Sequence, residues 1–314
     1  MNKKISVIIP LLNKGPYISR AIKTVLNQTI QNFEIIVIDG GSVDDGPKIV
    51  KDINDPRISF IVQSGKGVSI ARNEAVKIAK SELIAFLDAD DEWLSNHLEI
   101  ILRLVGKYPV AGMYSTAYKI QTSDEALRLA DYACIPNPPW EGLLPNYFTS
   151  GALGFGPVII SVVVIPKKIF LEMRGFPEGY WFGEDMDLFG KIALKYPVAF
   201  SYEFSAIYHW DTSNRASEKT RPLNYIEPFV ITARNHLAKG DVPPESIKSL
   251  NEYISKFEIR RAARHIVMGQ SKIARNILKQ CNTTWRLNEK IKLLILASAP
   301  YPVFLFIMNI KRRL

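Results

Sequence analysis

The chain has 314 residues, of which 47% are hydrophobic and 23% charged. That apolar share supports a sizeable core in one large domain with an appendage, or in two small ones, and excludes a disordered chain. The net charge of +9 is unevenly placed: Lys256 to Leu314 holds 13 Lys/Arg against Glu258 and Glu289, a net +11, while the preceding residues sum to −2.

The elements alternate through the first half. Met1-Asn2-Lys3-Lys4 runs directly into Ile5–Ile9, a β-rich run stopped by Pro10, so no signal peptide is expected. Ile18, Ala21, Ile22, Val25 and Leu26 recur at helical spacing behind Gly15-Pro16. Phe33 to Ile38 reads as a second strand ending at Asp39, followed by a polar helix from Asp44 to Asp52 and a third strand from Ile58 to Val62. Gly67 to Ala79 reads as a helix and Leu83 to Leu87 as a fourth strand ending at Asp88. Continuous apolar strands separated by helices predict a parallel sheet covered on both faces. Ligands of such sheets sit outside the carboxyl ends of the strands, which is where Asp39 and Asp88 fall.

Further on, Leu98–Val105 reads as a helix and Val110–Tyr118 as a strand. Gln121 to Pro157 is rich in Pro, Gly, Trp and Tyr and lacks periodicity, the mark of a long functional or disordered loop. Val158–Ile165 is another β run, Pro166–Met173 and Met186–Lys195 read as helices, and Val198–Tyr208 as one or two strands. From about Asn224 the pattern is helical only. Cys134 and Cys281 are far apart and have no zinc-ligand spacing around them, which suggests reduced thiols in a cytosolic chain.

Four groups of residues bear chemistry. Asp88-Ala89-Asp90-Asp91 sets three carboxylates at the end of an apolar strand, an oxygen cluster suited to Mg²⁺ or Mn²⁺; the alternative is a helix N-cap before Glu92-Trp93-Leu94. Glu184-Asp185 follows the aromatic loop Gly179-Tyr180-Trp181-Phe182-Gly183. A carboxylate there can accept a proton from an attacking hydroxyl, or it can simply start a helix. Arg72 suits a phosphate or a solvated helix face. His209, beside Trp210 and Asp211, suits a metal or phosphate contact, or a structural role.

In order, Val7-Ile8-Ile9-Pro10-Leu11-Leu12-Asn13, Ala21 to Thr29, Phe33 to Ser42, Gly67 to Asn73 and Phe86 to Asp91 resemble the opening of the family 2 glycosyltransferases. Gly175-Phe176-Pro177-Glu178 and Gly183 to Leu188 resemble its later, acceptor-side elements, so the likeness runs from Ile5 to His209. It implies the GT-A α/β fold over residues 1–222, a mostly parallel sheet with helices on both faces, followed by a basic helical region, 223–314. It implies an inverting, metal-dependent transfer of sugar from a nucleotide-diphosphate sugar, a UDP-sugar, to a hydroxyl acceptor in cell-surface polysaccharide, glycolipid or glycoprotein glycan assembly. Pro10, Asn13, Asp39, Arg72 and Asp88 would surround the donor nucleotide. Asp90 would hold Mn²⁺ or Mg²⁺, with His209 near a metal or phosphate. Asp185 would be the general base, with Trp181 and Glu184 on the acceptor side. Three positions depart from the family: Asp39-Gly40-Gly41-Ser42 stands where Asp-Asp-Gly-Ser is common, Leu12 where an aromatic is usual, and Pro177 where Asp is frequent. The rival readings are a polyprenyl-phosphate sugar synthase and a non-catalytic nucleotide-sugar-binding subunit.

Leu293 to Ile310 is an apolar run broken by Pro300 and Pro302 and flanked by Lys290, Lys292 and Lys311-Arg312-Arg313. It suits an interfacial segment on an anionic membrane surface, or a helical cap on the domain. The first of these readings predicts a cytoplasmic protein peripheral on the inner face of the cell membrane, where a lipid-linked acceptor would also be found. No aromatics interleave with the Lys/Arg, so nucleic acid is not an expected partner.

Overall fold

In a computed structural model, residues 4–124, 126–213, 215 and 221–298 are described. The chain divides into two compact units, Met1–Lys219 and Thr220–Leu314.

In the first unit, β1 (Ile5–Leu11) lies between β2 (Phe33–Asp39) and β4 (Leu83–Phe86), with β3 (Ile58–Val62) beyond β2, all parallel. β2 is buried along its full length and β1 at all but Pro10, which explains their unbroken apolar runs. Glu34, buried within β2, is satisfied by hydrogen bonds: Ser6 Oγ donates to it at 2.6 Å and the Lys80 amide at 2.8 Å. The register sets Leu11, Asp39 and Val62 at one level, the carboxyl edge of the sheet. Helices α1 (Gly15–Leu26), α2 (Gly46–Lys51), α3 (Val68–Ile78) and α4 (His97–Lys107) connect or flank these strands. α1 starts at Gly15-Pro16 and buries Ile18, Ala21, Ile22 and Val25, the stripe expected from their spacing.

Beyond β4 the sheet is mixed. β5 is Glu92–Trp93, β6 Met113–Gln121, β7 Leu127–Leu129, β8 Glu141–Leu143, β9 Val164–Pro166 and β10 Val198–His209. The order is β3-β2-β1-β4-β9-β6-β10-β5, with β7 on β6 and β8 on β10. β9 runs antiparallel to β4 and β6, and β5 antiparallel to β10, while β10 is parallel to β6.

Several expectations need correction here. The segment after Asp91 is not a helix start: Glu92-Trp93 is a short strand on Ala206 and Ile207, and α4 begins at His97. Trp93 decides this, because its Nε1–H reaches the Ser161 carbonyl at 2.6 Å and its ring stacks on His97. β6 starts three residues later than expected, since Val110 lies in an exposed turn. The stretch Gln121–Pro157 holds β7, β8 and α5 (Tyr147–Leu153), the helix capped by Asn146, whose Oδ1 accepts from the Thr149 amide. Val158–Ile165 divides into a 3-10 turn, Ile160–Val162, and the start of β9. Val198–His209 is one strand whose register slips around Phe204.

The second unit contains α8 (Pro228–Lys239), α9 (Pro244–Val267), α10 (Ser271–Gln280) and α11 (Leu287–Ser298). α9, α10 and α11 share a small core of Ile259, Ala262, Ile266, Ala274, Ile277, Leu278, Cys281 and Ala297. No helix among the described residues is long and apolar enough to cross a membrane. The apolar run at Leu293–Ile310 lies outside the described residues from 299 onward.

Candidate functional site

Asp39 ends β2 almost fully buried, and the chain turns back over it: the amides of Gly41 and Ser42 donate to its carboxylate at 3.2 and 3.1 Å. Asn13 answers from the end of β1. It adopts a left-handed φ of 52°, its amide donates to Ser42 Oγ at 3.0 Å, and its Oδ1 accepts from the Val43 amide at 2.9 Å. Pro10 sits one register step below, opposite Ile38. The structure thus brings Pro10, Asn13 and Asp39 to one corner of the sheet edge.

The Asp88–Asp91 segment divides its labour. Asp91 is buried and structural: it accepts from Ser161 Oγ at 2.5 Å and from the His209 amide at 2.9 Å. Burial, with Asp90 and Asp88 adding to it, pushes its carboxyl well above the usual range. This brace fixes the end of β10 beside the end of β4. Asp90 faces the other way. Its Oδ2 accepts from Lys14 Nζ at 2.6 Å and from Thr212 Oγ1 at 2.9 Å, while Arg20 Nη2 holds its carbonyl at 2.6 Å.

Asp88 meets Arg72. The guanidinium is 3% exposed; it donates from Nη2 to Asp88 Oδ1 at 2.8 Å and from Nη1 to Glu184 Oε1 at 2.9 Å, and lies over the Phe176 ring at 5.3 Å. A solvated Arg72 is therefore excluded. Loss of water raises the Asp88 carboxyl, with Arg72 opposing and Asp90 adding. Arg72 owes its place to Asn73, whose Nδ2 donates to the Phe176 carbonyl and whose Oδ1 accepts from the Phe176 amide, both at 2.9 Å. Gly175 is required beside this clamp: its φ is +64°, and a Cβ would stand 2.5 Å from Asn73 Oδ1.

Lys167–Glu172 forms α6 after β9, and α7 (Glu184–Lys195) starts behind Gly183, whose φ of +76° turns the aromatic loop into the helix. That turn sets Glu184 on Arg72 and leaves Asp185 next to it. Burial raises the Asp185 carboxyl to about 7; Glu184 adds to the rise, while Arg72 and the Met186 amide oppose it. Trp181 lies in the preceding loop, 6.1 Å from the Phe182 ring.

His209 was expected with the metal group and is placed differently. Its Nε2 meets Glu92 Oε1 at 2.8 Å and its Nδ1 meets Asp211 Oδ1 at 3.0 Å, so both ring nitrogens are taken by carboxylates. His209 therefore does not present a nitrogen to a cation in this arrangement. Among the described residues no group of three or more His, Cys, Asp or Glu forms a metal cage. Asp90 offers one carboxylate, and Mg²⁺ or Mn²⁺ sites commonly use one or two with phosphate and water completing the shell. Lys14, Arg20, Thr212 and Ser161 were not singled out from sequence. Lys14 follows the Asn13 motif directly, which was the one available signal.

A sequence profile of glycosyl transferase family 2 matches residues 6–162. The chain belongs to this family. It is 41% identical over 193 residues to an uncharacterized glycosyltransferase of Rickettsia bellii, covering 61% of this chain and 26% of that protein. It is 39% identical over 111 residues to the UDP-Glc:alpha-D-GlcNAc-diphosphoundecaprenol beta-1,3-glucosyltransferase WfgD of Escherichia coli, covering 35% of this chain and 44% of that one. Against these relatives the chain spans less than half of their length. The structure of S. aureus TarS 1-349 in complex with UDP-GlcNAc superposes with a TM-score of 0.60 at 16% identity, over 93% of this chain and 89% of that one. The fold is thus of the GT-A kind, with a helical region at its C-terminal end.

Proposed function

We propose that the protein is an inverting glycosyltransferase that moves a sugar from a UDP-sugar to a hydroxyl of a lipid-linked glycan. The observation that carries this reading is Asp185. Its carboxyl is raised to about 7 beside the buried Arg72–Glu184 pair, which Asp88 joins from a half-buried position. A general base works best when its pKa lies near the operating pH. In a family 2 chain, that base takes the proton from the acceptor hydroxyl as its oxygen attacks the anomeric carbon from the face opposite the leaving diphosphate.

The donor choice draws on relatives: WfgD uses UDP-Glc, and the TarS complex holds UDP-GlcNAc. The acceptor class draws on WfgD and on WfaP of Escherichia coli, both named for a diphosphoundecaprenol-linked GlcNAc. Asn13 and Asp39 would shape the nucleotide corner, and Arg72 would keep the site cationic below the diphosphate. Asp90 would hold Mg²⁺ or Mn²⁺, which when bound offsets charge on the leaving group. Phe155 and Trp210, both part-exposed with rings 6.1 Å apart, would line the acceptor side with Trp181.

A membrane-facing location is part of the same proposal. Leu287, Ile291 and Ile295 of α11 are exposed on the side away from buried Ala297, beside Lys292 in the basic end of the chain.

The test is turnover of labelled UDP-sugars on GlcNAc-diphosphate-lipid and on polyprenyl phosphate. Transfer to the sugar hydroxyl that needs Asp185 supports the proposal. Transfer to the bare phosphate that survives Asp185→Asn would move the protein to the polyprenyl-phosphate class. Donor binding without any turnover would make it a binding subunit.

A further inference from the structure

We propose that Lys14 is the resident counter-cation of Asp90 and leaves it only for a diphosphate, so that a divalent ion enters the site together with the nucleotide and not before it. This rests on the proposal that Asp90 takes the cation.

The geometry is specific. Lys14 Nζ lies 2.6 Å from Asp90 Oδ2 and 2.8 Å from the Ser213 carbonyl, and its side chain is 13% exposed against 16% for Asp90. Thr212 Oγ1 donates to the same Oδ2 at 2.9 Å, so the oxygen is already shared between two donors. Arg20 fixes the Asp90 backbone from the other side at 2.6 Å. Both cations flank the Tyr17 ring, Lys14 Nζ at 5.6 Å and the Arg20 guanidinium at 5.9 Å from its centre, and Tyr17 OH lies 3.3 Å from Ser213 Oγ. The ammonium is therefore held by Asp90, the Ser213 carbonyl and the Tyr17 ring, not loose at the surface.

On Oδ2 a divalent ion would have to displace Lys14 and Thr212, and on Oδ1 it would sit beside the Lys14 charge. A divalent ion on Asp90 would stand within a few ångströms of the Lys14 charge, and at that range repulsion in a partly dehydrated site is strong. Lysine is suited to moving, since its compact charge rides on a flexible four-carbon stem. Its anchor is fixed: the neighbouring Asn13 is tied to Ser42 and Val43. The ammonium therefore stays next to the proposed nucleotide corner wherever it swings. The group that would accept it there is a phosphate. Free metal then meets an occupied carboxylate, whereas a metal–diphosphate brings both the replacement cation and the new anion.

Binding of Mn²⁺ to the full chain, read by equilibrium dialysis against protein-free controls holding the same UDP concentration, tests this with UDP absent and saturating. Wild type should bind Mn²⁺ weakly alone and about tenfold or more tightly with UDP. Lys14→Met should bind Mn²⁺ alone about tenfold more tightly than wild type, with a smaller further gain from UDP than wild type shows, and Lys14→Arg should resemble wild type. Equal affinity of wild type and Lys14→Met for Mn²⁺ alone, with the UDP effect intact in wild type, would overturn the role of Lys14 and leave the metal site standing. Should Lys14→Met not fold, wild type alone decides: the same Mn²⁺ affinity with and without UDP overturns the proposal. No Mn²⁺ binding by wild type under either condition overturns the metal reading of Asp90 as well.

Discussion

Arg72 and Glu184 lie 112 positions apart and meet in a buried ion pair of 2.9 Å. The pair joins the helix after β3 to the helix that carries Asp185. Through its other nitrogen Arg72 also reaches Asp88 at the end of β4. Three carboxyl groups thus share one cation in a poorly hydrated place, and Asp185 absorbs the imbalance. Its rise to about 7 follows from burial first, then from Glu184.

That balance fixes a pH dependence. Asp185 is protonated below about 7 and ionised above it, so kcat/KM should climb through that pH and level off on the alkaline side. Glu184→Gln removes a like charge and frees more of Arg72 to hold the Asp185 anion; both effects lower the Asp185 pKa. The acidic limb of the profile should therefore move to lower pH in Glu184→Gln. A limb that stays in place would separate Glu184 from the base.

Asp185→Asn preserves shape and removes the proton acceptor. General bases contribute about 10²–10⁴-fold in rate. A kcat loss of that order is expected, with UDP affinity by calorimetry little changed. Near-normal kcat would remove Asp185 from the mechanism.

The clamp between Asn73 and Phe176 makes a prediction about stability. Asn73→Ala strips partners from a part-buried amide and carbonyl, a cost of about 1–3 kcal/mol in chemical denaturation. Gly175→Ala should destabilise too, because its Cβ meets Asn73 Oδ1 in a left-handed backbone. In the double variant the two effects should not add, since both break the same contact.

Much of the sheet edge was legible in the sequence because buried parallel strands are continuous apolar runs. Asp39 and Asp88 stand where such runs stop, at the carboxyl edge. What was not legible is pairing across distance. Lys14 with Asp90, Ser161 with Asp91 and Asn73 with Phe176 are 76, 70 and 103 positions apart. The first depends on β1 and β4 lying side by side, and the other two on how the segment before β9 and the Gly175 turn return to the first four strands, which local periodicity does not encode. The alternative of a helix cap at Glu92-Trp93 fails for a related reason. Carboxylates before an apolar pair resemble a capped helix, but Trp93 finds its partner in Ser161, 68 residues on.

Asp90 can be tested by removal. Asp90→Ala should abolish transfer and leave a folded protein, since the adjoining brace to β10 runs through Asp91. Chelator should silence the wild type, and Mn²⁺ or Mg²⁺ should restore it. Full activity in chelator would exclude a metal from the reaction.

The last prediction concerns the membrane. Lys256 to Leu314 carries a net +11, and α11 within it exposes Leu287, Ile291 and Ile295 at 47%, 44% and 65%. These residues recur every four positions, so they form one stripe, and Lys292 lies near it on the same solvent side. The opposite side of the helix is committed, because Ala297 is buried with Leu293 and Leu294 packed near it. A truncation that begins at Ile291 would therefore cut into the core of the helical unit. The informative variants are Ile291→Glu with Ile295→Glu, and deletion of residues 299–314. The full chain should sediment with anionic vesicles at low salt and less with neutral ones, each nearby Lys or Arg adding about 1 kcal/mol. High salt should weaken binding only in part, since the apolar contact is not screened. The double variant should lose vesicle binding while keeping UDP affinity. If the intact chain ignores vesicles of either charge, the stripe does not meet lipid, and a soluble acceptor becomes the better assignment.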